Sequence, residues 1–382
     1  MSNLSRRNWL KSAVALGAAI PIGLSLSEQL LAAPVSKAEL DYSPLYINNG
    51  KLIRLGSNEN PYGPSAKARK AVQEAMNEFN RYAFEPVGEF KKVIAEKEGV
   101  SPDHVLIVNG SSETLCLAGL AVGLEGGAVL SAFPTFKSLM EYAVKLNARW
   151  DKVDLDSYHV HNLEALASAV KSDTRMMFVC NPNNPTGTVL DGSKLSSFAE
   201  EMSKKTVVFA DEAYIQFLEP SEQRSMIELV KKGHNVIVSR TFSKVYGLAG
   251  LRIGYAIAQP DMIKKLSPYQ MGPVINQAAL AAAKVSLNDS EFEVMSRAKN
   301  NEALDYFQGY LDSKKWFHGK SRTNCVLFPA PKDGRTILRE TEKRGFQIRI
   351  WDYQNKEWCR VSIGTLAEMK SFTKAFDEVV SG

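Results

Sequence analysis

The 382-residue sequence predicts an α/β fold, in which a large, mostly parallel sheet lies between helices and a smaller α/β part follows. Two observations carry this prediction. Short apolar runs typical of buried strands alternate with helical stretches between residues 104 and 258. Two more strand-like runs follow a long helical stretch that begins near residue 285. A chain of this length can bury a large core and commonly forms two domains.

The elements follow one another in an order that fits this fold. Ser65 is a suitable N-cap and begins a predicted helix that runs to residue 78. Before it, residues 58–64 (NENPYGP) predict a turn. We predict strands of the large sheet at residues 104–108, 128–131, 175–180, 206–210, 236–239 and 253–258, and strands of the smaller part at 325–328 and 360–363.

Composition and charge exclude several classes of protein. Hydrophobic residues make up 45% of the chain and charged residues 23%, which is ordinary for a globular protein. The net charge is +5, of which Arg6, Arg7 and Lys11 against Glu28 supply +2. The remaining +3 forms no basic cluster with interleaved aromatic residues, so we expect no nucleic-acid partner.

An export leader is predicted at residues 1–33. Arg6 and Arg7 precede a mildly apolar stretch, residues 12–20, that is too short and too rich in Ala and Gly for a transmembrane helix. The pattern resembles a twin-arginine (Tat) signal peptide, with Trp9 where phenylalanine is usual. From this signal we expect the Tat machinery as a partner and the periplasm as the compartment. The pathway carries folded proteins.

Neither a metal site nor a disulfide is expected. His159 and His161 would present two imidazoles on one face of a strand, but no carboxylate or cysteine stands at ligand spacing. The four cysteines form no disulfide framework. Cys325 and Cys359 fall in strands that could be neighbours, and we expect free thiols because a Tat substrate folds in a reducing cytoplasm.

One segment has the residues that a pyridoxal phosphate (PLP) site needs. Lys244 lies among hydroxyl side chains just past the predicted strand at 236–239, and Arg252 stands eight residues beyond it. The amine suits the cofactor aldehyde, and the hydroxyls and guanidinium suit its phosphate. Ligands bind at the carboxyl ends of strands in α/β sheets, where this lysine is expected.

Two other predicted strands also end in polar residues. Residues 181–187 (NPNNPTG) follow one, and residues 211–214 (DEAY) follow another. With the lysine segment, in this order, they resemble fold-type I PLP enzymes, the class I and II aminotransferases, and most closely the histidinol-phosphate aminotransferase branch. The resemblance covers roughly residues 50–370.

The resemblance implies a domain organisation as well as a fold. It implies a fold-type I PLP-dependent transferase, with an active site between domains at the interface of a homodimer. The N-terminal segment, 34–80, would join the small domain, 285–382, and the large PLP-binding domain would be 81–284. The substrates would be an amino donor and a 2-oxo acid acceptor.

The resemblance also implies a role for individual residues. Lys244 would bond the cofactor aldehyde and later move the substrate proton, and Asp211 would face the pyridine nitrogen and keep it protonated. Tyr214 and Asn184 would hydrogen-bond the ring 3-oxygen, with Asn184 also near the substrate. Arg360 would hold the substrate α-carboxylate through two parallel hydrogen bonds.

The remaining implied contacts concern the phosphate, the ring and the substrate side chain. Backbone amides at a helix N-terminus suit an anion. The phosphate would be bound by Gly110, Ser111, Ser112, Thr241, Ser243 and Arg252. Phe136 would stack on the ring, Arg349 would bind the far end of the substrate, and Tyr82 would reach the partner's cofactor phosphate.

Two departures from the family weaken any assignment of the substrate. Its usual Pro-Tyr-x-Pro-Gly segment is not evident near the N-terminus, and Trp351 and Asp352 stand where the family has proline and small residues. We therefore predict an exported aminotransferase that works by a ping-pong cycle between an amino acid, or an amino-acid-like donor, and a 2-oxo acid, without naming the particular donor. A PLP-dependent lyase, such as a threonine-phosphate decarboxylase or a β-eliminase, and a non-catalytic binding module are the alternatives.

Overall fold

Two separate β-sheets and one short strand pair organise the computed structural model, which describes residues 52–272 and 275–381. The predicted leader lies outside the described residues. The described strands, in chain order, are β1 (Ile53–Arg54), β2 (Val105–Val108), β3 (Ala128–Phe133), β4 (Arg149–Asp154), β5 (Thr174–Cys180), β6 (Val207–Asp211), β7 (Val236–Thr241), β8 (Gly254–Ile257), β9 (Cys325–Pro329), β10 (Phe346–Gln347), β11 (Arg349–Tyr353) and β12 (Lys356–Ser362).

Helices cover the sheets and connect most of the strands. They are α1 (Ala66–Ala75), α2 (Phe84–Glu98), α3 (Ser111–Glu125), α4 (Ser138–Lys145), α5 (Leu163–Ser168), α6 (Gly192–Met202), α7 (Ile227–Lys231), α8 (Pro260–Leu266), α9 (Gln277–Ser286), α10 (Ser290–Ser313), α11 (Gly334–Lys343) and α12 (Leu366–Ser381). The predicted α/β class, with a mostly parallel sheet between helices, is confirmed.

The large sheet has seven strands in the order β2-β8-β7-β6-β5-β3-β4. All neighbours are parallel except β8, which runs antiparallel to both β2 and β7. Its central strands each contain an apolar run because both of their faces are covered: Phe209 packs in the core on one side, and Val208 and Ala210 pack in the core on the other. The carboxyl ends of β5, β6 and β7 therefore meet at one edge.

In the large sheet, β4 is the described strand that the sequence did not predict. It lies at the edge of the sheet and carries charged residues (RWDKVD), so it has no apolar run of the kind that marks the central strands. The expected strand through His159 and His161 is wrong. Asp156 accepts hydrogen bonds from the backbone of Tyr158 and Val160, which turns the chain there.

The smaller sheet has three antiparallel strands in the order β11-β12-β9. A tight turn joins β11 to β12 through Gln354 and Asn355, whose φ angles are 51° and 57°. Helices α10 and α12 pack on one face of this sheet over a separate apolar core. The structure thus adds β11 to the two strands that the sequence predicted here.

The segment before α1 pairs with the smaller part of the molecule. Strand β1 pairs in parallel with β10, and the backbone N–H of Ser362 donates to Leu55 O at 2.8 Å. Ser65 caps α1 as predicted, since its Oγ accepts from the Ala68 N–H at 3.1 Å. All described residues belong to one compact unit, so the domain boundaries at 80 and 284 stay a prediction.

The described residues contain neither a membrane-spanning helix nor a metal-binding cluster. None of their helices combines the length and apolarity needed to cross a membrane. No three His, Cys, Asp or Glu side chains of residues 52–272 and 275–381 are grouped so that they could hold a metal ion.

Candidate active site

A cavity of about 300 Å³ lies where β5, β6 and β7 end, facing the smaller sheet. The structure brings most of the predicted site residues together around it: Ser111, Ser112, Phe136, Asn184, Asp211, Tyr214, Thr241, Ser243, Lys244, Arg252, Arg349 and Arg360. The edge of a parallel sheet explains this grouping, because residues distant in sequence follow neighbouring strands at the same end.

Lys244 lies in the loop after β7, and buried neighbours fix that loop. Phe242 and Val245 are in the core on either side of it. The Lys244 Nζ donates to the backbone carbonyl of Asn58 at 3.1 Å. Burial lowers the pKa of Lys244 to about 8, and the nearby Arg360 adds to that lowering. At pH 7 about one tenth of this amine is then neutral, far more than for a lysine of ordinary pKa, and the neutral form can act as a nucleophile and a base.

Asp211 ends β6 as a buried carboxylate without a basic partner. It is 3% exposed, and the N–H of Ala213 donates to it at 3.1 Å. Lys244 is the basic group that acts on its charge, and the Lys244 amine donates to Asn58 O instead. Burial raises the pKa of Asp211 to about 6. A carboxylate in this setting suits a ligand that brings its own positive charge, such as a protonated pyridine nitrogen.

The N-terminus of α3 and Arg252 form one wall of the cavity. Arg252 donates to Ser243 Oγ at 3.3 Å and to Ala249 O at 2.8 Å. Gly110 precedes α3 with φ of 70°, and a Cβ at this position would collide with the Arg252 guanidinium. In the part of the chain that the structure describes, no carboxylate pairs with Arg252. The wall therefore suits a phosphate.

Arg360 is a buried cation whose partners are all neutral. It is 3% exposed, and it donates to Asn184 Oδ1 at 3.0 Å and to Gly56 O. Its Nε has no hydrogen-bond partner among the described residues. The ring of Trp351 lies 6.0 Å from the guanidinium. A buried guanidinium with an unused N–H is suited to a carboxylate that enters with the substrate.

Arg349 lies beside Arg360 because the two residues are paired across β11 and β12. Arg349 is exposed, in contrast to Arg360. Partial burial lowers the pKa of Arg349, and the charge of Arg360 lowers it further. The cavity lining contains four cations against Asp211 and Glu59. This excess of positive charge favours anionic ligands.

Three predicted positions need separate comment. Gly110 supports the cavity wall without lining it. Tyr82 is 76% exposed and packs on Phe84, away from the cavity of its own chain, so its role toward a partner stays a prediction. Of the two unusual residues of β11, Trp351 shares the face of Arg349, which lines the cavity, and alternation along the strand puts Asp352 on the opposite face.

The sequence interpretation missed the contribution of the segment before α1. Ser57, Asn58 and Glu59 also line the cavity. The only signal was the turn-forming residues 58–64, which predicted a turn and no role. Gly247, with φ of 70°, packs directly against the backbone of Gly63 and holds this segment on the lysine loop.

The residues present fit PLP. A lysine amine, a buried unpaired carboxylate and an anion-binding wall lie around one cavity, as its aldehyde, ring nitrogen and phosphate require. PLP, when bound, supplies an electron sink for the bonds at the substrate Cα. The fold and the site thus define a PLP-dependent enzyme of fold type I.

The chain belongs to the class I and II aminotransferases, whose family model matches residues 50–376. It is 33% identical to histidinol-phosphate aminotransferase of Moorella thermoacetica over 332 residues, 86% of each chain. It is 34% identical to histidinol-phosphate aminotransferase 2 of Ralstonia nicotianae over 358 residues, 91% of this chain and 93% of that protein.

A solved structure supports the same family. Histidinol-phosphate aminotransferase from Sinorhizobium meliloti, in complex with pyridoxal-5'-phosphate, matches 95% of this chain and 99% of that one. The TM-score is 0.80 and the sequence identity 25%. The protein is therefore an aminotransferase, PLP is its cofactor, and its substrates are amino compounds and 2-oxo acids, as in its family.

The arrangement assigns a chemical task to each group of side chains. With PLP bound, Lys244 would be the group that takes a proton from the substrate Cα and returns it. Asp211 would hold the proton on the pyridine nitrogen, and Arg252 and the α3 amides would hold the phosphate. Arg360 would orient the substrate so that the Cα–H faces the lysine.

Proposed function

We propose that this protein is an exported, PLP-dependent aminotransferase that transfers an amino group from an amino acid, or a similar amine, to a 2-oxo acid. One observation carries the proposal: a buried arginine without an acidic partner stands in the same cavity as the lysine amine. An α-amino acid has both groups that this pair would recognise.

A ping-pong cycle follows from having a single carboxylate site. The donor and the 2-oxo acid acceptor carry the same carboxylate next to the reacting carbon, so both would bind to Arg360. They can therefore occupy the site only in turn. The first product must leave before the acceptor enters.

We propose that the donor is an amino acid and not histidinol phosphate, the compound in the names of the relatives. Histidinol phosphate has no α-carboxylate for Arg360. Next to Arg360, the ring of Trp351 lies 6.0 Å from the guanidinium, its Nε1 is buried without a partner in the described chain, and it packs with the buried Tyr353 and Trp358. These rings favour an apolar or aromatic side chain.

A donor screen tests this function. The PLP-loaded protein is mixed with single amino acids and with histidinol phosphate, and absorption reports conversion of the cofactor from its aldehyde to its amine form. We expect conversion by at least one amino acid and reversal by a 2-oxo acid. Release of ammonia or carbon dioxide without an acceptor would instead indicate a lyase.

We also propose a homodimer, which is typical of the family. A group of exposed apolar side chains supports it: Phe79, Tyr82 and Phe84 are 47%, 76% and 67% exposed, and Met271 is 74% exposed. Two of them, Phe84 and Met271, line a cavity of about 380 Å³. A second copy would cover this surface.

Mixed dimers test both the dimer and the role of Tyr82. Subunits with Lys244→Ala and subunits with Tyr82→Ala are each expected to be impaired. In a mixed dimer, one site would combine an intact Lys244 with an intact Tyr82 from the partner, so activity should return. If mixing restores nothing, Tyr82 does not act across an interface.

Export to the periplasm through the Tat pathway is the last part of the proposal. It rests on Arg6, Arg7 and the weakly apolar stretch after them. Export of the folded protein would allow PLP to be loaded in the cytoplasm.

A further inference from the structure

Asn58 has a network of hydrogen bonds that none of the roles above requires. It is 1% exposed and has a left-handed backbone, with φ of 53°. Asparagine tolerates this conformation better than most residues. Its side-chain amide contacts Ser362, Tyr214 and Cys325, which come from three different parts of the chain.

The orientation of the Asn58 amide is fixed by Ser362. The Asn58 backbone N–H donates to Ser362 Oγ at 2.8 Å, so the hydroxyl keeps its own proton to donate. It donates that proton to Asn58 Oδ1 at 2.9 Å. With Oδ1 on Ser362, the Nδ2 group must face Tyr214 Oη, which it does at 3.0 Å.

The orientation of the Asn184 amide is fixed by Arg360. A guanidinium can only donate hydrogen bonds, and Arg360 Nη1 lies 3.0 Å from Asn184 Oδ1. The Nδ2 group of Asn184 must therefore be the side that faces Tyr214 Oη, at 3.3 Å.

Two N–H donors thus converge on the oxygen of Tyr214. They occupy both of its lone pairs, so the phenol proton must be donated to a third group. The described residues offer it no acceptor, and Tyr214 lines the cavity.

We propose that Asn58 is a positioning residue that directs the Tyr214 hydroxyl proton into the cavity, toward the ring oxygen of bound PLP. This inference rests on the proposed role of Tyr214 at that oxygen. The carbonyl of Asn58 also accepts from Lys244 Nζ at 3.1 Å. Asn58 therefore aligns both the Lys244 amine and the Tyr214 hydroxyl, two of the groups expected at the cofactor.

Two substitutions distinguish the role of the Asn58 side-chain amide from that of its backbone carbonyl. Asn58→Gly removes the carboxamide, while glycine keeps the left-handed backbone and the carbonyl that holds Lys244. Asn58→Asp keeps the shape and the acceptor on Ser362 but replaces the N–H donor by an oxygen, which would attract the phenol proton away from the cavity.

The readout is the pH at which the absorption band of the PLP-loaded protein shifts, measured without substrate. A hydrogen bond donated to the ring oxygen stabilises its negative charge, so losing that bond moves the transition to higher pH. We expect an upward shift of about half a unit in Asn58→Gly and about one unit in Asn58→Asp. The ionisable groups facing Lys244 and Tyr214 are Arg360, Cys325, Cys180, Asp211 and Glu59.

The Tyr214→Phe background is the decisive control. In it there is no phenol proton to direct, so Asn58→Gly should no longer move the transition. Asn60→Ala is the matched control in the same segment, because Asn60 bonds to Val245 O and Ser296 Oγ, and Ser296 still donates to Val245 O without it. We expect no shift in Asn60→Ala.

The inference is overturned if Asn58→Gly leaves the transition unchanged, or moves it equally in the Tyr214→Phe background. If Tyr214→Phe alone moves nothing, the proposed role of Tyr214 fails as well, whatever the donor screen shows. Unfolding midpoints of the cofactor-free variants verify the fold. Should Asn58→Gly not fold, Ser362→Ala frees the amide to rotate and is expected to give a smaller shift in the same direction.

Discussion

Replacing Arg360 and Arg349 by alanine, one at a time, tests whether Arg360 binds the substrate α-carboxylate and Arg349 binds the substrate side chain. Arg360 is 3% exposed, and its described partners are neutral. Losing two charge-assisted hydrogen bonds to a carboxylate in such a place costs about 2–5 kcal/mol. That cost corresponds to a decrease in kcat/KM of about 30- to 5,000-fold. Because every amino acid carries the α-carboxylate, Arg360→Ala should impair all donors alike.

Arg349 should behave differently because it is exposed and lies toward the side-chain end. Water and salt screen exposed charges, so its pairing with an acidic side chain is worth about 1 kcal/mol or less. Arg349→Ala should therefore lower kcat/KM about fivefold or less for acidic donors and spare aromatic ones. Arg360→Lys, which keeps the charge without the planar fork, should fall between the intact protein and Arg360→Ala.

The assay is kcat/KM, donor by donor, for all three variants. Cofactor absorption at saturating PLP verifies that the site is loaded. If Arg349→Ala and Arg360→Ala weaken every donor by the same factor, the separation of carboxylate and side-chain ends is wrong.

Three other predictions concern the lysine, the buried carboxylate and the leader. Lys244→Ala should abolish turnover and reducible attachment of PLP while keeping the fold; an adduct found on another lysine would contradict this. In the cofactor-free protein, the folded state holds the Asp211 proton up to about pH 6 and the unfolded chain releases it near 3.8. The free energy of unfolding should therefore fall by up to about 3 kcal/mol between about pH 4 and 6, and Asp211→Asn should remove this part, as denaturant titrations at several pH values would show. Arg6→Lys with Arg7→Lys should leave active enzyme in the cytoplasm, and unchanged activity in a periplasmic fraction would reject the Tat assignment.

Some strands could be predicted from the sequence and others could not, and the difference follows from their burial. The central strands were evident because β5, β6 and β7 are covered on both faces, so each contains a continuous run of apolar residues. The edge strand β4 and the hairpin strand β11 are partly exposed, so their sequences mix charged and aromatic residues and gave no such signal. Burial, rather than strand propensity, decided which strands the sequence revealed.

The sequence by itself determined the α/β class, and the resemblance of its motifs to one family of PLP enzymes predicted that Lys244, Asp211 and Arg252 belong to one cofactor site. Those residues follow strand ends, and the geometry of a parallel sheet brings strand ends together. Only the tertiary structure decided that Asn58, distant in the sequence, fixes the surroundings of Tyr214 through Ser362. It also decided that Asp352 faces away from the cavity. Local sequence specifies turns and strands, but contacts between distant segments and the face of an irregular strand depend on how the whole chain packs.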